Sequence, residues 1–547
     1  NRTDDYLKSL LRNPDQRAVL LRQLGVWPKK QASTNEDHYA YGLLLINNRQ
    51  WAFSQAGEEN PRLLDGIFKP FSEQASLLSG RLGHVPMLCW FRASDLSGDL
   101  QSQDGMFGFD LAPDLGHLFA NEPAGSKRIE HAADALIDWL YPVAESARIP
   151  VVAITGTNGK TTTSRMVNHI FERSGYNTGL VCTDGILIDG EKVYDGDNGT
   201  FQGHARVLMN GRVSAAVLET HHRGIAIHGL AFNQCDVAVC LNVTEEHLAK
   251  GEIETLEEMA LIKQALVERA DKVAILFADD AHCAGMIESM RSELLCLVSL
   301  HLPKDELLEM AGDRPASCCV LEKQDGEDWI VLHHDQVRIP VMPVSSIPAT
   351  FDGTADFNVS NAMHAIASTH YSGIDHKIIH AAMCEFEAGQ QYTPGRMNFF
   401  DGLPFSVLMD FAHNPDGLAQ LSRFADKQQV KGRKVIAFAG LSKRPDETNR
   451  KIAQAVSGHF DFYFCKDYEP TGPKKRRFVG PFMQKVLHDE GVPIEATKVV
   501  TYGKDVIFEI LDSCQPGDLL ILIAGHAETI TVPGYIAAYI EERLTSQ

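Results

Sequence analysis

The segment V-V-A-I-T-G-T-N-G-K-T-T-T, residues 151–163, constrains the fold of this chain more than any other. Its apolar start has the character of a buried strand, and a helical pattern follows the glycines. Glycines let backbone N–H groups approach phosphates closely, and a helix N-terminus presents partial positive charge to them. Lys160 can then neutralise β- and γ-phosphate oxygens, while the Thr161 hydroxyl can bind Mg²⁺. The segment therefore predicts an ATP site in an α/β domain.

The spacing of this loop is narrower than that of the general P-loop. Only Thr157 and Asn158 separate Gly156 from Gly159, where the general loop has four residues before its Gly-Lys pair. This short form resembles the Mur ligase family, whose members join a carboxylate to an amine at the expense of ATP. The alternative is a glycine turn followed by a surface lysine. The resemblance assigns nucleotide contacts to Gly156, Thr157, Asn158, Gly159, Lys160, Thr161 and Thr162.

Length, charge and cysteine usage narrow the class of protein. A chain of 547 residues holds three or four domains of ~150 residues each. Its formal charge of −21 repels a polyanion, so no nucleic-acid partner is expected. The dense basic run Lys474–Arg477 is interpreted as a solvated loop face, with attraction of an acidic substrate as the alternative. No apolar run reaches the ~18 residues of a membrane span, and no secretory signal opens the chain. The 11 cysteines are scattered without a C-x-x-C pair. A cytoplasmic protein without a membrane partner is therefore expected.

Short β-branched runs alternate with helical stretches, which predicts an α/β fold in three domains. Residues 149–391 are expected to form a central P-loop, parallel-sheet ATP-binding domain, with strands at Ala215–Leu218, Asp236–Leu241 and Val273–Leu276. After a turn-rich hinge at 389–395, residues 392–547 are expected to form a C-terminal Rossmann-like α/β domain. Its strands are predicted at Phe405–Met409, Lys434–Ala439, Phe462–Phe464 and Leu519–Ala524. Residues 1–148 carry no recognised motif and are expected to form a small α/β N-terminal domain with a possible role in substrate recognition.

Two polar residues follow predicted strands near the loop and are candidate metal ligands. Glu219 comes directly after Ala215–Leu218, and His247 follows the strand that ends near Val243. A carboxylate brought to ~4 Å from a phosphate is repelled by about 4 kcal/mol at an effective dielectric of ~20, so cations and hard oxygen ligands for Mg²⁺ are needed. Taken alone, either residue is more often an ordinary capping or surface residue.

The sequences L-E-T at 218–220 and N-V-T-E-E-H at 242–247 resemble two Mur-family motifs whose Glu and His hold the second Mg²⁺. The resemblance also implies that Lys263 matches a family lysine that is carbamylated and then helps to bind this metal. The alternative for Lys263 is a solvated helix lysine. On this resemblance the metal ligands are Thr161, Glu219, His247 and carbamylated Lys263, and the catalytic residues are Lys160, His247, Lys263 and Arg396.

Further motifs lie in the C-terminal part. P-G-R at 394–396 and D-F-A-H-N-P at 410–415 resemble the family's P-G-R and D-Y-A-H-N-P motifs. The resemblance implies that Arg396 contacts phosphate or ribose, that Asp410 accepts from ribose or a metal-linked group, and that His413 lies at the nucleotide. Asn361 resembles the end of an H-N-x-x-N helix start in which Phe357 replaces the usual His, and its alternative is a helix-capping Asn.

From about Ile129 to the end, the chain also resembles the C-terminal, Mur-ligase-like half of cyanophycin synthetase, including several segments between residues 183 and 245. Three departures from that pattern affect the expected site. His221 and His222 stand where small or basic residues are usual, and Phe277 stands where the family has an Asn that reads adenine. A phenyl ring can stack on a base but cannot make the paired hydrogen bonds of an amide. These departures keep open an altered specificity or a decayed enzyme.

The expected function is an ATP- and Mg²⁺-dependent ligase that activates a carboxylate as an acyl phosphate for attack by an amine. Its partners are a small-molecule or peptide carboxylate donor and an amine or amino-acid acceptor, and a homo-oligomer is possible. Residues 1–148 are too few for an additional ATP-grasp module, so the chain is expected not to make the cyanophycin polymer alone. The alternative function is a pseudo-ligase that binds nucleotide or a partner subunit without catalysis. A simple ATPase or kinase is a minor option.

Overall fold

The computed structural model describes residues 149–544, except 209, 211, 233, 246–254, 443 and 469–477, together with three strands nearer the N-terminus. These strands form one small sheet in the order β1-β3-β2, in which β3 is parallel to β1 and antiparallel to β2. Their bounds are β1 Gln23–Val26, β2 Tyr39–Gly42 and β3 Pro86–Arg92. The rest of the predicted N-terminal domain, His247 and the basic run at 474–477 lie outside the described residues.

The central sheet has 11 strands in the order β14-β13-β12-β11-β10-β9-β4-β8-β5-β6-β7. The stretch from β12 to β5 is parallel, and antiparallel hairpins extend it at both edges. The strands are β4 Val151–Thr155, β5 Thr178–Cys182, β6 Gly185–Ile188, β7 Glu191–Asp195, β8 Ala215–Glu219, β9 Cys235–Cys240, β10 Ala270–Phe277, β11 Leu294–Ser299, β12 Ala316–Gln324, β13 Glu327–His334 and β14 Val337–Pro343.

Strand β4 lies in the middle of this sheet and is buried on both faces. Val151 and Ala153 belong to one hydrophobic core, while Val152 and Ile154 belong to the other, because successive side chains of a strand point to opposite faces. From β4 the chain crosses over β8 to β5 on one side and later returns to β9 on the other side. Such a reversal of strand order opens a crevice at the carboxyl end of the strand. The predicted phosphate loop begins at this point.

The C-terminal sheet has six strands in the order β15-β16-β20-β17-β18-β19, and only β15 is antiparallel. Its strands are β15 Asn398–Phe400, β16 Ser406–Asp410, β17 Lys434–Ala439, β18 Phe462–Lys466, β19 Thr497–Val499 and β20 Leu519–Ile523. The strands predicted from sequence in the central and C-terminal domains are all present within a few residues of the expected bounds. The fold class is thereby confirmed for the central and C-terminal sheets.

Helices cover both faces of the two sheets. They are α1 Lys160–Arg173, α2 Phe201–Leu208, α3 His222–His228, α4 Leu256–Val267, α5 Ala281–Ala284, α6 Lys304–Ala311, α7 Asp356–Tyr371, α8 His376–Glu385, α9 Pro415–Lys427, α10 Asp446–Val456, α11 Gly480–Asp489, α12 Lys504–Ser513 and α13 Glu528–Tyr539. Within the part of the chain that the structure describes, no helix is long and apolar enough to cross a membrane.

Candidate active site

The loop between β4 and α1 has the conformation that its sequence predicts. Gly156 and Gly159 both adopt positive φ, at 154° and 85°, and a Cβ at 159 would overlap Oδ1 of Asn361. Glycine is therefore required at 159 both for its backbone conformation and for the close approach of Asn361. Helix α1 starts directly after this glycine, at Lys160, so its N-terminal N–H groups open onto the loop.

Asn242 fixes the shape of this loop from the neighbouring strand end. Its Oδ1 accepts hydrogen bonds from Thr157 N at 2.9 Å and Asn158 N at 2.8 Å, and its Nδ2 donates to Asn158 O at 3.1 Å. Its backbone oxygen also accepts from Thr157 N at 3.0 Å. Asn242 was part of a sequence motif, but it was not predicted as a site residue. The signal that could have found it is its place after β9, because β9 and β4 are neighbours whose carboxyl ends meet.

Lys160 is buried, with 9% of its surface exposed, and therefore is not a surface lysine after a turn. Its Nζ donates to Gly156 O at 2.9 Å and to Thr157 O at 2.8 Å, so the ammonium lies over the mouth of the loop. A cation held there faces any phosphate that the α1 N-terminus binds. Thr161 and Thr162 line the same cleft.

Glu219 ends β8 beside the loop and is fully buried, so the alternative of a surface carboxylate is wrong. Its Oε1 accepts from Thr183 Oγ1 at 2.8 Å and from Thr161 Oγ1 at 3.2 Å, and its Oε2 accepts from Thr183 N at 3.0 Å. The structure thus brings the predicted metal ligands Thr161 and Glu219 together. Thr183 was not predicted as a site residue, and its contribution depends on the packing of β5 beside β8.

The donors fit Mg²⁺ that keeps waters and phosphate oxygens in its coordination shell. A carboxylate and a hydroxyl are hard oxygen ligands, which Mg²⁺ prefers, and Mg²⁺ is commonly bound by one or two carboxylates plus substrate phosphates. Among the described residues, no group of three or more His, Cys, Asp or Glu side chains is arranged to hold a metal ion by itself. His247, the remaining predicted ligand, lies outside the described residues.

Lys263 lies on α4 and is 1% exposed, so the interpretation as a solvated helix lysine is wrong. Its Nζ donates to Thr157 Oγ1 at 2.7 Å and to Asn242 O at 3.2 Å. The lysine therefore supports both the phosphate loop and Asn242 from the side away from the cleft. Its carbamylation stays a prediction.

The departure at His221 has a partner in the cleft. His221 Nε2 lies 2.8 Å from Asp197 Oδ1 and 3.9 Å from Glu219 Oε1. Burial lowers the pKa of His221, but the hydrogen bond to Asp197 and the negative charges of Asp197 and Glu219 together outweigh burial, so the pKa is raised overall. The pKa of Asp197 is lowered: burial acts to raise it, but the hydrogen bond to His221, the charges of His221 and Lys160 and a bond from the Gly199 backbone together outweigh burial. The pair adds a histidine–carboxylate contact next to the predicted metal ligands.

The C-terminal part contributes Arg396, Asp410 and His413 to the cleft. Asp410 ends β16, and its carboxylate accepts from Met397 N at 3.0 Å and Ala412 N at 2.8 Å. Burial raises the pKa of Asp410, and the nearby Arg396 guanidinium opposes that shift. Arg396 Cζ lies 4.3 Å from the centre of the Phe411 ring, while His413 Nδ1 lies 3.0 Å from Phe411 O. The two sequence motifs therefore form one cluster.

Asn361 and Phe277 lie on the other side of the loop. Asn361 is inside α7 and buried, and its Oδ1 accepts from Thr163 Oγ1 at 3.2 Å, so it is not a helix cap. Phe277 ends β10, lines the cleft, and makes an edge contact with His364 at 5.6 Å between ring centres. Burial lowers the pKa of His364 to about 4, which keeps this ring neutral. Phe277 therefore presents an aromatic ring to the cleft, with a neutral imidazole packed against its edge.

Residues of both sheets and their loops enclose one cleft of about 880 Å³. The phosphate loop and Glu219 line it from the central part, and Arg396, Asp410 and His413 line it from the C-terminal part. This volume falls within the ~300–1,000 Å³ of small-ligand sites. All predicted site residues that the structure describes, apart from Gly156 and the buried Lys263 behind the loop, line this cleft.

Comparison with known proteins agrees with this arrangement. The family model of the Mur ligase middle domain matches residues 154–369, and that of the Mur ligase glutamate ligase domain matches residues 395–526. Cyanophycin synthetase of Crocosphaera subtropica is 31% identical over 423 residues, which are 76% of this chain and 47% of that protein. The UDP-N-acetylmuramoyl-L-alanyl-D-glutamate–2,6-diaminopimelate ligase of Caldanaerobacter subterraneus is 25% identical, over 73% of this chain and 77% of that protein.

Solved structures show the same fold at low identity. E. coli FolC in complex with DHPP and ADP matches with a TM-score of 0.53 and 16% identity, over 71% of this chain and 89% of that chain. MurF ligase from Thermotoga maritima in complex with ADP matches with a TM-score of 0.50 and 14% identity, over 72% and 81%.

Fold and cleft together define an α/β protein with a P-loop domain followed by a second α/β domain. The chain belongs to the Mur ligase family. It spans less than half the length of the cyanophycin synthetases that it matches, at 40% and 47% for two of them.

Proposed function

We propose that this protein is an ATP-dependent, ADP-forming carboxylate–amine ligase. The observation that carries the proposal is the convergence of Lys160, the Thr161–Glu219 pair and Arg396 on one cleft between two parts of the chain. The relatives support it, since several are named as synthetases or ligases. We further propose that it acts in the cytoplasm and that its donor is a small acid or an aspartate-bearing peptide.

The reaction proceeds in two displacements. A carboxylate oxygen of the donor attacks the γ-phosphorus of ATP, and the bond from this phosphorus to the β-phosphate oxygen breaks. ADP departs, and the donor becomes an acyl phosphate. The amine of the acceptor then attacks the acyl carbon, loses a proton, and expels inorganic phosphate. One ATP is converted to ADP and phosphate for each amide formed.

The residues of the cleft would offset the charge that collects at the transferred group. Lys160 neutralises phosphate oxygens at the α1 N-terminus, and Arg396 brings a second cation from the C-terminal part. Thr161 and Glu219 would hold Mg²⁺, which supplies further charge neutralisation when bound. Since a carboxylate and a phosphate oxygen repel by about 4 kcal/mol at ~4 Å, these cations are required for their approach.

The test is ADP formation from Mg-ATP across a grid of carboxylates and amines, including aspartyl peptides with arginine or lysine. We expect ADP only where one donor and one acceptor are both present, and no ADP from Lys160→Ala. Because Phe277 cannot pair with adenine as an amide does, a nucleotide-binding pseudo-ligase is the second candidate. Binding of Mg-ATP without ADP formation anywhere in the grid would favour it over the ligase.

A further inference from the structure

Asn158 directs its polar side chain towards the C-terminal part of the chain. Its Oδ1 accepts from Asn414 Nδ2 at 2.8 Å, and its Nδ2 donates to Asp416 Oδ2 at 2.8 Å and to Asn414 Oδ1 at 3.3 Å. Its backbone N–H is already bonded to Asn242. Residue 158 of the nucleotide loop is thus held on both sides by protein groups.

The partner residues are rigidly placed at the start of α9. Asn414 is the N-cap of this helix, 3% exposed, and its Oδ1 accepts from Gly417 N at 2.8 Å. Asp416 accepts from Gln420 Nε2 at 2.7 Å. Because both amide groups are already fixed, pairing them costs little additional side-chain entropy. The pair therefore fixes the start of α9 relative to the phosphate loop.

The contact also sets the place of the predicted nucleotide residues. Asn414 ends the short connection between β16 and α9, and this connection carries Asp410 at one end and His413 next to the cap. When Asn414 docks on Asn158, Asp410 and His413 are brought to the cleft that Lys160 lines. The docking therefore assembles the two halves of the site.

Two ion pairs also cross between the central and C-terminal parts, but neither touches the phosphate loop. Lys451 Nζ lies 2.7 Å from Glu245 Oε2, and Lys427 Nζ lies 2.6 Å from Asp356 Oδ2. All four side chains are substantially exposed, and exposed ion pairs contribute little to stability. They offer a matched control for contacts at the same interface.

We propose that Asn158, Asn414 and Asp416 form an interdomain latch that positions the C-terminal half of the site on the nucleotide loop. The three are positioning residues, and the latch couples closure of the cleft to nucleotide binding. By thermodynamic reciprocity, nucleotide raises the ratio of closed to open molecules by the same factor by which the closed form binds nucleotide more tightly than the open form. The nucleotide part of the inference rests on the proposed function, whereas the closure part does not.

The first arm of the test measures closure without nucleotide. Energy transfer is recorded between two dyes placed by bioorthogonal labelling at the exposed positions Val337 and Ile530, which lie in the two parts of the chain. Asn414→Ser keeps a hydroxyl that can cap α9 but loses the amide pair. We expect the ratio of closed to open molecules to fall about tenfold in this variant and to stay within about twofold of the unmutated protein in Lys451→Ala. An unchanged ratio in Asn414→Ser overturns the latch.

The second arm measures the affinity for Mg-ADP and for a non-hydrolysable Mg-ATP analogue by calorimetry. We expect Asn414→Ser to bind either probe about five- to tenfold more weakly, and Asn158→Ala/Asn414→Ser to bind no more weakly than Asn158→Ala alone. Additive losses in the double variant would overturn the coupling, since the two residues would then act independently. Failure of the unmutated protein to bind either probe contradicts the proposed function, while the closure arm still judges the latch by itself.

Discussion

Replacing Asn242 by alanine tests whether a side chain from a neighbouring strand end maintains the phosphate loop. The change removes the two hydrogen bonds that Oδ1 accepts and the one that Nδ2 donates. Thr157 N keeps a partner in the backbone oxygen of residue 242, but Asn158 N loses its bond to Oδ1. This N–H is part-buried. A fully buried N–H left unpaired costs about 1–3 kcal/mol, and each lost neutral bond costs about 0.5–1.5 kcal/mol.

We therefore expect Asn242→Ala to destabilise the ordered loop by about 2 kcal/mol, which corresponds to roughly 10- to 30-fold weaker binding of Mg-ADP. Calorimetric titration with Mg-ADP measures the affinity, and urea unfolding measures the effect on the fold. The matched control is Asn449→Ala. Asn449 lies in α10 of the C-terminal part, is fully buried, and makes two comparable bonds to the backbone of Leu441, far from the phosphate loop in sequence.

The control should lower the free energy of unfolding and leave the affinity for Mg-ADP within about twofold. Unchanged Mg-ADP binding by Asn242→Ala would show that the Asn242 side chain does not hold the loop in its binding shape. Equal weakening by both variants would show that a general loss of stability, rather than loss of the Asn242 hydrogen bonds, weakens binding.

Four further changes have defined outcomes. Gly159→Ala should abolish the thermal shift caused by Mg-ADP, whereas Gly175→Ala, which has a similar φ of 87° and no neighbour within 4 Å of its Cβ, should only lower the melting temperature. Glu219→Gln should raise the Mg²⁺ concentration for half-maximal ADP formation at least about tenfold; an unchanged Mg²⁺ titration contradicts its role as a ligand. Incubation with ¹³C-bicarbonate should give a carbamate NMR signal that is missing in Lys263→Arg, and its absence from the unmutated protein would exclude carbamylation. The pKa of His364 is lowered to about 4 in the folded protein, so as pH falls below ~6.5 the unfolded chain binds a proton on this ring before the folded protein does. This difference lowers the free energy of unfolding by about 2 kcal/mol at pH 5. His364→Phe should therefore flatten the pH dependence of stability measured by urea unfolding.

The sequence predicts the sheets well because parallel strands that are buried on both faces appear as continuous β-branched runs. Strand β9, at Cys235–Cys240, and strand β20, at Leu519–Ile523, lie within one residue of their predicted bounds. The phosphate loop is equally accessible to sequence reasoning, since its chemistry is contained in one contiguous segment. In both cases local pattern determines the structure.

Contacts between distant segments are the part that sequence reasoning misses. Nothing local to Asn242 shows that its amide fits the N–H groups of residues 157 and 158, although its place after β9 puts it at the right edge of the sheet. Asp197 follows the edge hairpin of β6 and β7, which β5 separates from β8 in the sheet, so its approach to His221 after β8 depends on how the chain leaves that edge. The pairing of Asn158 with Asn414 depends on the relative placement of two sheets, which no pattern within either segment encodes.

The most direct test of the proposed chemistry follows the oxygen of the donor carboxylate. The donor that the substrate grid identifies is labelled with ¹⁸O in its carboxylate, and the phosphate released with the amine and Mg-ATP is analysed by mass spectrometry. If the carboxylate attacks the γ-phosphate to form an acyl phosphate, each phosphate carries one ¹⁸O atom and the amide retains the other. Unlabelled phosphate would mean that water attacks ATP, and it would contradict the ligase mechanism.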